Sequence, residues 1–131
     1  MSFRGRTVLL CMFLLLFTLT AFAQRRGVPP VSIEGTYDNL SVGRESGDLE
    51  GMRVILIDGG GGIYAIVQQA EGGVELPAPA STKVTVKGTD ISFSVKFPGH
   101  DESLTFSGKV SASSLRLRSD GQQFFLKRKK C

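Results

Sequence analysis

Tryptophan is missing from this chain, histidine occurs once, and cysteine occurs only at Cys11 and Cys131. Each shortage closes a class of chemistry. With no cysteine between those two, no internal disulfide can staple the folded part. Cys131 is left either as a bare terminal thiol or as a candidate for a disulfide dimer with a second chain. A single histidine, His100, leaves no His/Cys set for a tetrahedral metal site, so no metal and no cofactor is expected. No window of a dozen residues carries an apolar stripe at helical spacing, which excludes helix bundles and alternating βα units. The one long apolar run, Val8 to Leu16, is short for a transmembrane helix, which needs about 20 residues.

That run has another use. It follows Arg4 and Arg6 and leads to Ala21-Phe22-Ala23, the layout of a cleaved secretory signal. Residues 1–23 are therefore expected to be a signal peptide and 24–131 a single exported domain, secreted or periplasmic, with no span left after cleavage. Charge divides unevenly within that domain. Residues 24–76 carry four basic and eight acidic side chains, net −4; residues 77–131 carry ten and four, net +6. Such asymmetry suits a charged partner, or two well-solvated faces of one sheet.

The folded part alternates with period two. Ile91, Phe93, Val95 and Phe97 alternate with Ser92, Ser94 and Lys96, and Leu104, Phe106 and Val110 with Thr105, Ser107 and Lys109. Side chains alternate across a strand, so each segment has one apolar and one polar face. Strands are predicted near 33–40, 49–57, 63–69, 73–76, 83–87, 91–97, 103–110, 115–118 and 123–128, separated by Gly-, Pro-, Ser- and Asp-rich turns. Short connections make sequential neighbours antiparallel. The predicted fold is all-β: an antiparallel meander of eight to nine short strands closed into a small barrel or flattened sandwich.

Gly59 to Gly62 follow Asp58 and invite a phosphate-loop reading. Ile63 and Tyr64 stand where a P-loop needs lysine and a hydroxyl, and the following segment alternates like a strand. The run reads instead as a hairpin tip. Catalysis has thin support: His100 sits in the turn Pro98-Gly99-His100-Asp101-Glu102, and no Gly-x-Ser-x-Gly elbow is present, so no catalytic residue is assigned. Glu45, Asp48 and Glu50 read as a solvated loop rather than a calcium site. Asn39-Leu40-Ser41 is a glycosylation sequon, of consequence only in a eukaryotic source.

Two surfaces remain as candidate sites. If the barrel holds a cavity, Tyr37, Met52, Tyr64, Phe93, Phe97 and Phe106 are candidates to line a pocket for a small apolar ligand. On the outside, Lys83, Lys87, Lys96, Lys109, Arg116, Arg118 and Lys127 form a cationic, hydroxyl-rich face suited to a polyanionic glycan or lipid surface. That face is expected to hold no acid, with Asp90, Asp101, Glu102 and Asp120 all in turns. Only Phe125 faces outward for stacking, so nucleic acid is not expected as a partner. Lysines that merely guard a sheet against edge pairing are the plainer alternative.

The stretches "IEGTYDNL", "GDLEGMRVILI", "VKGTDISFSVKF", "LTFSGKVSASSLRLR" and "FFLKR" resemble small exported bacterial β-domains of the lipocalin-like or calycin-like kind. In those a Gly-x-Tyr or Gly-x-Trp opens the barrel, as Gly35 and Tyr37 do here. Gly88 to Phe93 and Phe106-x-Gly108-x-Val110 match later hairpin marks, with Thr89 inserted before Asp90. The resemblance implies a lipocalin-like barrel and carries no catalytic residue. The expected function is a secreted, non-enzymatic binding module. The alternative is a protein-interaction domain, such as an exported hydrolase inhibitor acting through the tips at 59–62 and 98–102.

Overall fold

Alternation of apolar and polar side chains makes a strand that can bury only one face, and a meander of such strands buries them all by curling round on itself. The computed structural model describes residues 32–130. The predicted signal at 1–23 and Cys131 lie outside the described residues. Among the described residues ten strands form: β1 (Gly35–Asp38), β2 (Ser41–Val42), β3 (Leu49–Asp58), β4 (Ile63–Glu71), β5 (Ala80–Lys83), β6 (Thr85–Lys87), β7 (Asp90–Val95), β8 (Leu104–Val110), β9 (Ser114–Ser119) and β10 (Gln122–Arg128). They lie in one antiparallel sheet of order β5-β4-β3-β1-β10-β9-β8-β7-β6, with β2 beside β3.

The two ends of that order are β5 and β6, which are consecutive in the chain. One extended run from Ala80 to Lys87 therefore pairs with β4 in its first half and β7 in its second. Buried Val84 is the joint, its N–H donating to the Ile63 carbonyl at 2.8 Å. This run all but closes the sheet into a barrel, so the sandwich alternative falls away. The single strand expected at 83–87 starts earlier and is bent into two, and β2 at Ser41–Val42 was not expected.

The strand expected at 73–76 does not form. Leu49 donates its N–H to the Gly73 carbonyl at 2.6 Å, so the backbone there closes onto the start of β3 instead of beginning a new ladder. Val74 is 84% exposed and has no apolar face to join. The glycine run is a hairpin tip: Gly59 N–H bonds the Gly62 carbonyl at 2.9 Å, and the Asp58 carboxylate accepts from Gly60 N–H at 2.8 Å. Gly60 and Gly62 take φ of 76° and 133°, which side-chain-bearing residues rarely adopt.

Inside, Tyr37, Met52, Val54, Leu56, Phe93, Phe106, Leu115 and Leu126 belong to one contiguous core. Phe93 and Phe106 are direct cross-strand partners with rings stacked 5.3 Å apart, and Phe124 meets Phe106 edge-on at 5.9 Å. Each such side chain contributes about 1.5–3 kcal/mol by burial. One end of the barrel is tied by Arg128. Its guanidinium lies over the Tyr37 ring at 5.8 Å and donates to the carbonyls of Ser32 (3.1 Å), Ala112 (3.2 Å) and Glu34. Tyr37 donates its own hydroxyl to the Ile33 carbonyl at 2.8 Å. Burial pushes the Tyr37 phenol above its ordinary 10.0, and the Arg128 charge partly offsets this.

Candidate functional site

The apolar candidates are divided by the wall of the barrel. Tyr37, Met52, Phe93, Phe97 and Phe106 point into the core and contact other core side chains. Tyr64 does not join them. It neighbours inward Ala65 and pairs in register with exposed Ile57 and Lys83, which places it on the outer surface. Strand parity decides this: Ile63 and Ala65 take the inner positions of β4, so the residue between them cannot.

A concave region of about 820 Å³ lies on the outside of the barrel, across β6 to β10. Sheet register explains its content. In one row, Lys87 stands opposite Asp90, Asp90 opposite Lys109, Lys109 opposite Arg116, and Arg116 opposite Phe125. Two residues along each strand runs a second row: Thr85, Ser92, Ser107, Arg118 and Gln123. Every one of these ten residues lines the groove. Neighbouring strands are about 4.8 Å apart, so each row is about 19 Å long, and the rows are separated by about 6.7 Å. Its floor includes Gly108, where a Cβ would overlap the backbone carbonyl of Arg116. Glycine there lets β8 and β9 approach closely, a usual reason for glycine at a barrel bend.

Among the described residues the groove holds four cations, Lys87, Lys109, Arg116 and Arg118, and one carboxylate, a formal +3. The expectation of an acid-free face is corrected here. Asp90 is the first residue of β7, not a turn residue, and its carboxylate meets the Lys109 ammonium at 2.6 Å. Both are well exposed, so the pair contributes little to stability. Its effect is local: Lys109 is partly neutralised, while Arg116 and Arg118 have no carboxylate partner among the described residues. The Arg116 guanidinium rests over the half-exposed Phe125 ring at 5.4 Å. That contact holds the charge beside an apolar plate.

The other three predicted cations stand apart from the groove. Lys83 ends β5 near the Gly62 tip, Lys96 follows β7, and Lys127 pairs with Asp38 and Ser114. Period-two reading found the face but missed Asp90 and left Gln123 unassigned. Their signal lies in register, which depends on where each turn ends.

His100 borders a smaller depression of about 320 Å³ at the end of the barrel where β4 stops, beside Glu71, Glu75 and Phe97. Among the described residues no three His, Cys, Asp or Glu side chains gather to hold a metal ion. Asn39 uses its side-chain oxygen to accept the Met52 N–H at 2.7 Å. No helix among the described residues is long and apolar enough to cross a membrane. Comparison of the chain with family models, with curated proteins and with solved structures gives no match.

Proposed function

We propose that this chain is an exported, non-enzymatic binding module of lipocalin-like form that takes an anionic partner, glycan or lipid, on the outer face of β6–β10. The observation that carries the reading is the groove itself, concave and formally +3, with two arginines that meet no carboxylate among the described residues. A curved surface of one sign attracts counter-charged groups, and the attraction falls with salt. The leader at 1–23 supports export, and the Gly35-x-Tyr37 opening supports the lipocalin-like form. Core packing around Phe93 and Phe106 favours this outer site over an apolar ligand held inside.

The test is retention on a sulfated matrix. The protein is expected to bind in low salt and elute as ionic strength rises. The variant Arg116→Gln/Arg118→Gln is expected to elute earlier than Lys83→Gln/Lys96→Gln, which removes equal charge outside the groove. Equal elution of the two variants, or no retention at low salt, overturns the proposal.

A second reading has one observation behind it. Ile57 is 42% exposed beside Tyr64, directly under the Gly59–Gly62 tip. An apolar spot at a hairpin tip suits a protein partner, in line with an interaction domain. Pull-down from the native compartment is expected to lose that partner with Ile57→Ser; an unchanged set of partners removes this reading.

A further inference from the structure

We propose that the occupant of the groove is an acidic polysaccharide chain lying across the strands, recognised by its sugar rings as well as by its charge. The inference rests on the anion-binding reading above and narrows it. Three features of the groove select a chain over a charged plane. The face is concave, so a flat lipid surface meets its rims while a linear polymer reaches its floor. The two rows run perpendicular to the strands, about 19 Å end to end, and give a linear ligand a continuous track. The rows also differ in chemistry. The first row offers Lys87, Lys109 and Arg116 to carboxylate or sulfate, whereas the second has one cation, Arg118, among Thr85, Ser92, Ser107 and Gln123, which both donate and accept, as hydroxyl-bearing rings require. A surface built only to hold headgroup phosphates has no need of the four neutral donor-acceptors in the second row.

Phe125 completes the arrangement. Its ring closes one end of the charged row, and its exposed part offers an apolar plate to the C–H face of a sugar. Arg116, already over that ring, stands ready for the acidic group of the same unit. Single-stranded nucleic acid calls for a succession of aromatic plates, and this groove has Phe125 at one end and Phe124 turned toward Phe106 in the core. Asp90 gives the track polarity. It takes the second place of the charged row and pairs with Lys109 in the third, so these two places attract acidic groups weakly and leave Lys87 on one side and Arg116 with Arg118 on the other. Acidic groups are therefore favoured at intervals along the ligand, with neutral sugar between them.

The experiment titrates the protein with chondroitin sulfate, polygalacturonate, neutral dextran, phosphatidylglycerol vesicles, single-stranded polynucleotide and inorganic sulfate. Binding to one of the two acidic glycans, stronger than to the vesicles and the polynucleotide at equal ionic strength, is expected. Ser92→Ala/Ser107→Ala and Phe125→Ala are each expected to weaken it about five- to tenfold without changing the charge. Asp90→Asn is expected to strengthen it. Circular dichroism and thermal melting check that each variant is folded. Equal binding to all the anionic polymers and vesicles, insensitive to Ser92, Ser107 and Phe125, overturns the polysaccharide assignment and leaves the general anionic reading standing. Preference for vesicles or polynucleotide does the same. No binding to any anion overturns both.

Discussion

The outer surfaces on the two sides of this barrel are built by one rule and carry opposite contents. On the β3–β4 side the outward positions are Arg53, Ile55, Ile57, Tyr64, Ile66 and Gln68, mostly apolar and half-buried. Asp38 lies at their edge, nearly buried, bridging Arg53 at 3.6 Å and Lys129 at 3.2 Å. On the β6–β10 side the outward positions are cations and hydroxyls, and the one acid among the groove residues, Asp90, is exposed. Alternation decides only that these residues face out. Which charge finds a partner depends on the strand laid beside it. Asp38 is covered by its own cations and does structural duty, whereas Arg116 and Arg118 face water.

The largest expected effect removes the wall common to both sides. Phe106→Ala deletes the ring that joins Phe93 and Phe124, and denaturant unfolding is expected to show a loss of about 3–5 kcal/mol. Both outer faces would degrade together. A loss under 1 kcal/mol would mean that the faces do not share a core.

Next come changes that strike one side each. Gly108→Ala forces a methyl group against the Arg116 backbone and is expected to cost about 1–3 kcal/mol. It should weaken anion binding while amide exchange on β3 and β4 stays slow. Asp38→Ala leaves Arg53 without its carboxylate, with an expected cost of about 1–3 kcal/mol, between the values for exposed and buried pairs. Anion binding should survive that change. If Asp38→Ala abolished binding and Gly108→Ala spared it, the division into a structural and a binding side would be reversed.

The smallest effect concerns the tie at the barrel end. Because burial raises the Tyr37 pKa above 10.0, the folded state keeps the phenol proton at a pH where the unfolded chain has lost it. The unfolded state then binds fewer protons, so stability falls as pH rises from about 10 toward the folded pKa and is fully present below 10. Tyr37→Phe loses the bond to the Ile33 carbonyl, about 1 kcal/mol at neutral pH, and should flatten this alkaline slope. Unfolding curves from pH 7 to 11 for the two proteins check it, with Tyr64→Phe as the exposed-side control.

Much of the barrel was legible in the residues. Ile91, Phe93 and Val95 alternate with hydroxyls, and all three are buried. Gly59–Gly62 reads as a tip because no lysine follows it, and it is one. The failures have local causes. Val74 and Leu76 look like a strand by composition, but nearby backbone groups were already committed to β3. Tyr64 reads as a candidate for the pocket by its aromatic ring, but its inner neighbours Ile63 and Ala65 leave it only the outer position. Asp90 reads as a turn residue because Gly88 and Thr89 precede it, yet the ladder begins on it.

The order of residues by itself determined that this chain forms strands, where most of them turn, and which side chains meet water, because backbone alternation converts spacing into facing without reference to anything distant. Only the folded sheet decided that the Ala80–Lys87 run closes the barrel, that Lys87, Asp90, Lys109, Arg116 and Phe125 form one row, and that Asp38 is neutralised while Arg118 is not. Those facts are set by register between segments far apart in the chain, and shifting one strand by a single residue would exchange every partner while leaving the alternation within it unchanged.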